Sequence, residues 1–249
     1  MRIFCFSGSG NSYAVAASIG SRFSVKPELV TRFKDIDRVD VSDSQIGIIA
    51  PVYLNDVPCI VKEFLLKLCF ADTNAYVFAV LTSGSGKNKT GFQSINLALA
   101  QNMGRLALAF DISMPSSYQA RADMDSKLSA VPQMIEKIVQ EIEDGHENYK
   151  RNGSTSLPRD FTRVSFLQKL LTHMKVTEKC NGCGLCLELC PKDNISLRNG
   201  RAFHGSNCIA CTACVNWCPS NATTYRFLKG QYRHPDISAT DLIITKNDE

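Results

Sequence analysis

The sequence predicts an α/β chain in two parts: a doubly wound five-stranded parallel sheet, followed by a small α+β unit built around cysteine. Three observations carry this. Over roughly the first 145 residues, short β-branched or aromatic apolar runs alternate with longer amphipathic stretches. A polar stretch, "HENYKRNGSTSLPRD", then breaks the rhythm. Beyond it, eight of the eleven cysteines crowd between residues 180 and 218.

In chain order, strands are expected at Arg2 to Phe6, Glu28 to Thr31, Gln45 to Ala50, Ala75 to Leu81 and Arg105 to Ile112. Helices are expected at Ser12 to Arg22, Cys59 to Phe70, Gly91 to Met103 and Ser126 to Glu143. Strands alternating with helices imply right-handed crossovers and a parallel sheet covered on both faces. Ligands of such sheets sit beyond the carboxyl ends of the strands, where the strand order reverses. Residues 146–160, with Gly153 and Pro158, read as a linker or surface excursion. In "FTRVSFLQKLLTHM", Val164, Leu167, Leu170, Leu171 and Met174 recur at helical spacing. Such a helix either packs on a neighbouring domain or presents Arg163, Lys169 and Lys175 to an acidic redox partner. The expected divisions are 1–145 for the sheet domain, 146–175 for linker and helix, 176–228 for the cysteine domain, and 229–249 for a tail.

Composition narrows the function. With 249 residues and 44% hydrophobic content the chain can fill a real core. The formal charge of +4 is modest and its basic residues are dispersed, which gives a nucleic-acid partner little support. The apolar start after Arg2 is too short for a signal-peptide core, and runs such as "AYVFAVL" and "LALAF" fall far short of the ~20 residues a membrane span needs. A soluble, cytoplasmic protein is expected, in which thiols stay reduced and cysteines serve metal chemistry before disulfides. Cys5, Cys59 and Cys69, scattered through the first part, read as buried small hydrophobes.

Residues 180–191 read "CNGCGLCLELCP" and residues 208–219 read "CIACTACVNWCP", a C-x2-C-x2-C-x3-C-P run repeated at an offset of 28. Two intervening residues let a chain loop round a cubane so that successive thiolates reach different irons. Small residues at Gly182, Gly184, Ala210, Thr212 and Ala213 give the backbone room to approach. A closed zinc site is the competing reading, but it takes four ligands, usually from two C-x2-C pairs, and leaves the third cysteine and the duplication unexplained. Between the runs, Asn199-Gly200 marks a two-residue hairpin turn. The segment 176–228 resembles the bacterial two-cluster ferredoxins, whose first three cysteines bind one [4Fe-4S] cluster while the fourth reaches across to the other. The resemblance implies one cluster on Cys180, Cys183, Cys186 and Cys218, and a second on Cys208, Cys211, Cys214 and Cys190.

Near the amino terminus, "FSGSGNS" follows a strand directly. A dinucleotide fingerprint fails because Tyr13 stands where a third small residue is needed, and a P-loop fails because Asn11 replaces its lysine. Amide groups at a helix amino terminus and a cluster of hydroxyls can hold a phosphate without lysine or arginine. The run Ser7, Gly8, Ser9, Gly10, Asn11, Ser12 is similar to the phosphate loop of the flavodoxins, which implies an FMN site. Its walls would come from the loop after the third strand, Pro51, Val52, Tyr53, Leu54 and Asn55, with Tyr53 to stack on the flavin. The loop after the fourth strand, Thr82, Ser83, Gly84, Ser85 and Gly86, would line the ring edge, and Tyr118 is a weaker candidate after the fifth.

The whole chain thus resembles bacterial and archaeal proteins that fuse a flavodoxin-like domain to a two-cluster ferredoxin. The combination implies an iron-sulfur flavoprotein that passes electrons between its clusters and FMN and on to a redox protein or small acceptor. Two other classes stay open: an FMN-dependent reductase of a small molecule fed by its own clusters, and a redox sensor on a flavin-free scaffold. No Ser-His-Asp set or metal-hydrolase spacing competes, and His146, His173, His204 and His234 read as surface or packing residues. Two oxidised clusters, each carrying about two negative charges, together with a flavin phosphate would turn the formal +4 mildly acidic.

Overall fold

A computed structural model describes residues 1–86, 88–116, 123–150, 157, 161–162, 173–228 and 230–243. Its first part is a parallel sheet of β1 (Arg2–Cys5), β2 (Glu28–Leu29), β4 (Gln45–Pro51), β6 (Tyr76–Ser83) and β7 (Leu106–Ser113). Two further strands, β3 (Val39–Val41) and β5 (Leu68–Phe70), pair with each other outside it. The order across the main sheet is β2-β1-β4-β6-β7. Counting only its own strands this is 2-1-3-4-5, the flavodoxin-like order, with its switch point between β1 and β4. Helix α1 (Asn11–Arg22) meets α4 (Met124–Glu143) on one face, and α2 (Cys59–Leu65) meets α3 (Lys89–Leu99) on the other. Central strands covered on both sides need continuous apolar runs. Accordingly Ile3, Phe4, Cys5, Ile46, Ile49, Val77, Phe78 and Leu81 are all fully buried.

The differences from expectation have physical causes. The second strand lies at the sheet edge, where only Glu28 and Leu29 pair with β1 before the chain tightens into a 3-10 turn at Val30–Phe33. The helix read to Phe70 ends at Leu65. Its last apolar residues instead form β5, in register with β3 as Val39 on Leu68 and Val41 on Phe70. A short run such as "FLLKLCF" fits either period, and the tertiary partner decides. Residues 146–149 run along the free edge of β7, where the Asn148 side chain accepts from the Ala109 amide at 2.8 Å and donates to its carbonyl at 3.0 Å. That edge is covered instead of exposed. Of the stretch read as an amphipathic helix, residues 163–172 lie outside the described residues, as does Tyr118. Met174 and Lys175, read as its end, belong to a strand.

The second part repeats itself. Strand β8 (Met174–Val176) pairs antiparallel with β11 (Thr223–Tyr225), and β9 (Ile195–Arg198) with β10 (Arg201–His204). Single turns of helix, α5 (Leu185–Glu188) and α6 (Ala213–Asn216), lie within the two cysteine runs. The offset of 28 that relates the cysteine runs carries α5 onto α6, β8 into β10 and β9 onto β11. Asn199 and Gly200, at φ 49° and 72°, make the expected hairpin turn. Leu189, Ile209, Cys211 and Trp217 join the main core, so this part is packed on the sheet domain. Among the described residues no helix is long and apolar enough to cross a membrane.

Candidate functional site

The cysteine runs hold their geometry through left-handed backbone at duplicated positions. Gly182 and Gly184 take φ 69° and 84°, and their counterparts 28 residues on, Ala210 and Thr212, take 55° and 60°. For the β-branched Thr212 this conformation is strained. Its hydroxyl offsets the strain by donating to the Cys211 carbonyl at 2.7 Å and accepting from Asn216 Nδ2 at 3.0 Å. Backbone amides turn toward sulfur: Asn194 to Cys190 at 3.3 Å, Ala202 to Cys180 at 3.5 Å, Ala210 to Cys208 at 3.4 Å and Ala222 to Cys218 at 3.2 Å. All eleven cysteines are free thiols.

Burial raises the Cys211 and Cys214 thiols, and neighbouring thiols add to it. Cys208 moves the same way, and Cys186 is pushed up to about 11 by burial and by Cys183 and Cys180. At Cys218 burial also raises the thiol, but hydrogen bonds from Ser220, Thr223 and Ala222 outweigh it and the net shift is down. Thiolates gathered in such a place repel one another until positive metal charge joins them, so the donor set fits a metal cluster. Among the described residues no three His, Cys, Asp or Glu converge as one ion would need. A cubane takes its thiolates on four separate irons and does not require them to converge on one point.

At the switch point the chain leaves β1 into Ser7–Gly10. Gly10, at φ 97°, turns it into α1, whose start has no side-chain cap. The first amides of a helix have no partner within it, which makes such a start suited to an anion. Ser7 Oγ accepts from the Gly10 amide at 3.0 Å, and Ser12 Oγ lies 2.8 Å from Thr82 Oγ1, joining the loops after β1 and β6. Ser7, Gly8, Ser9, Asn11, Ser12, Pro51, Val52, Tyr53, Thr82, Ser83 and Gly84 share one cleft. Gly10 does not line the cleft but makes the turn into α1. Leu54 and Asn55, which make a positive-φ turn, do not line the cleft, and neither do Ser85 and Gly86.

Sequence reasoning missed the remaining walls. Met114, Pro115 and Ser116 close one side, and Cys211 and Thr212 of the second cysteine run close another. The contact is intimate: a Cβ on Gly8 would lie 2.2 Å from the Cys211 carbonyl oxygen and 2.9 Å from the Tyr53 hydroxyl. Tyr53 reaches the same carbonyl at 3.5 Å, and Trp217 Nε1 donates to the Gly8 carbonyl at 2.9 Å. The hydroxyls and helix start at this end of the cleft suit an anion such as a flavin's phosphate, and Tyr53 leaning on Cys211 narrows the cleft beside them.

A family model described as a 4Fe-4S dicluster domain matches residues 179–222, which contain all eight clustered cysteines. Over 57 residues the chain is 37% identical to an uncharacterised ferredoxin of Methanocaldococcus jannaschii, spanning 21% of this chain and 74% of that protein. This chain belongs to the dicluster ferredoxins. Its shape is also similar to Smu.1420 of Streptococcus mutans, with TM-score 0.40 and 9% identity over 56% of this chain and 99% of that one. An oxidoreductase of Corynebacterium diphtheriae gives 0.34 and 14%, over 58% and 98%. The flavodoxin-like fold of the sheet domain rests on its strand order, not on these likenesses.

In this ferredoxin a buried polar chain ties the second cysteine run to the loop after β1. Asn216, holding Thr212, accepts from the Tyr232 amide at 3.2 Å. The Tyr232 hydroxyl donates to Asn11 Oδ1 at 2.7 Å, and Asn11 Nδ2 donates to the Pro115 carbonyl at 2.9 Å. Burial pushes the Tyr232 phenol up to about 12, so it stays a neutral donor. The His234 amide adds a bond to the Ser9 carbonyl at 2.9 Å. The tail that composition left without a role is thus a strap across the loop. Tyr232→Phe leaves Asn11 Oδ1 without this donor and is expected to cost about 1–3 kcal/mol in chemical unfolding.

Proposed function

We propose that this ferredoxin is an iron-sulfur flavoprotein whose two [4Fe-4S] clusters exchange electrons with an FMN in the cleft and with an external redox protein or small acceptor. One cluster would be held by Cys180, Cys183, Cys186 and Cys218, the other by Cys208, Cys211, Cys214 and Cys190. On this reading residues 1–145 hold the flavin, 176–228 the clusters, and 229–249 include the strap. The supporting observation is the shared wall, in which Cys211 and Thr212 stand in one cleft with Ser7, Ser12 and Thr82. When bound, a flavin supplies one- or two-electron chemistry and each cubane supplies single electrons.

The protein's own groups orient and insulate. The uncapped start of α1 and the hydroxyls of Ser7, Ser12 and Thr82 would grip a phosphate. Cys211 and Cys214, each 8% exposed, keep water from the inner cluster site, while exposed Cys183 gives the outer site a face toward partners. Tethering the two sites in one chain raises their effective concentration without a docking step.

The Tyr53 and Gly8 contacts with Cys211 favour a second reading, in which the sheet domain is a flavin-free cradle for the clusters. Anaerobic purification in the presence of FMN, followed by acid extraction and flavin fluorescence, separates the two. Brown protein carrying about one FMN per chain is the expected result. Brown protein that retains no flavin from excess FMN contradicts the first reading and leaves the second.

A further inference from the structure

His204 ends β10, and its ring nitrogens Nδ1 and Nε2 are buried with no hydrogen-bond partner; among the described residues no other side-chain nitrogen or oxygen is in that position. An imidazole carries at least one N–H in either protonation state, and leaving that donor dry and unpaired is unfavourable. His204 lines a cavity together with Cys190, Cys208, Cys211 and Cys214. Two polar side chains around that cavity already have partners. Lys192 Nζ holds Glu63 at 2.8 Å, and Asn194 Oδ1 accepts from the Asn207 amide at 2.6 Å. What the imidazole lacks is an acceptor, and the cavity is bounded by sulfur.

The internal duplication supplies the comparison. The offset of 28 that carries Cys180, Cys183 and Cys186 onto Cys208, Cys211 and Cys214 carries Val176 of β8 onto His204. Val176 packs in the small core beside Cys180 and Cys186 and has no donor to offer. The two cluster sites therefore differ at one equivalent place, polar in one and apolar in the other.

We propose that His204 is a tuning residue that donates a ring N–H to sulfur of the cluster held at Cys208, Cys211, Cys214 and Cys190. This rests on the ligand sets proposed above. Reduction adds an electron to an already anionic cluster, so a fixed N–H donor stabilises the reduced form and raises the potential. The cluster beside Val176 lacks this contribution. His204 thus sets an energetic order along the chain, favouring the electron on the inner cluster beside the cleft.

The test uses anaerobic holoprotein of the wild type, His204→Leu and His204→Gln, with iron counted in every sample. Redox titration followed by EPR should show one cluster of His204→Leu with its reduced-to-oxidised ratio lowered about tenfold at a given potential, which is 59 mV for one electron. The other cluster should not move, and His204→Gln, which keeps a donor, should recover part of the shift. In deuterated buffer, wild-type electron-nuclear double resonance should show an exchangeable proton coupled to that cluster, absent in His204→Leu. Unchanged titrations at full iron content would overturn the proposal, as would equal shifts in the Leu and Gln variants. If the Leu variant loses iron, the wild-type coupling decides, and its absence counts against His204. A wild type without about eight irons per chain fails the ligand sets themselves, a separate result.

Discussion

Gly8→Val is expected to lever the cysteine-rich part off the sheet domain and to shift the emission of Trp217 to the red. The added Cβ would sit 2.2 Å from a backbone carbonyl oxygen of Cys211, which no side-chain rotation can move aside. Either the loop after β1 or the second cysteine run must give way, and both are tied into the same polar chain. Overpacking at a site this rigid costs about 3 kcal/mol or more. Trp217 is the only tryptophan, is 4% exposed and donates to the Gly8 carbonyl, so its fluorescence reports this contact directly. Ser9→Ala in the same loop introduces no atom and should leave emission and unfolding midpoint in place. Unchanged emission in Gly8→Val would mean that the two parts do not meet as described.

Stripping iron anaerobically with a chelator should unfold the cysteine-rich part while the main sheet survives. The separate core of that part has only Ile195, Ala202, Cys214, Val215 and Tyr225 as buried residues. Below about 70–80 residues a single core is marginal and is commonly stapled by metal or disulfide, and here there is no disulfide. Hydrogen exchange should then rise to unprotected rates over β8 to β11 and stay slow in β1, β4, β6 and β7. Cys214→Ala should lower iron to about half, because one cubane loses a ligand while the other keeps its set. Protection across β8 to β11 that survives complete iron removal would contradict this account.

The sheet domain was legible because parallel strands buried on both faces write themselves as apolar runs, as in Ile46 to Ala50 and Val77 to Leu81. The cysteine repeat was legible because its spacing serves one chemistry well and others poorly. Elements decided by a distant partner were not. The switch from α2 to β5 depends on Val39 to Val41, and the cleft's inner wall joins Gly8 to residues some 200 positions away. His204 looks in sequence like any hairpin histidine. Only its alignment with Val176 through the offset of 28, together with its missing partners in the fold, sets it apart.

The central claim is that the carboxyl-terminal thiols gather two cubanes. Iron and acid-labile sulfide in protein purified without oxygen, measured with EPR of the reduced sample, test it most directly. The account predicts about eight of each per chain and the signal of two interacting paramagnets. Zinc in place of iron, or about four irons with a single isolated signal, would contradict it.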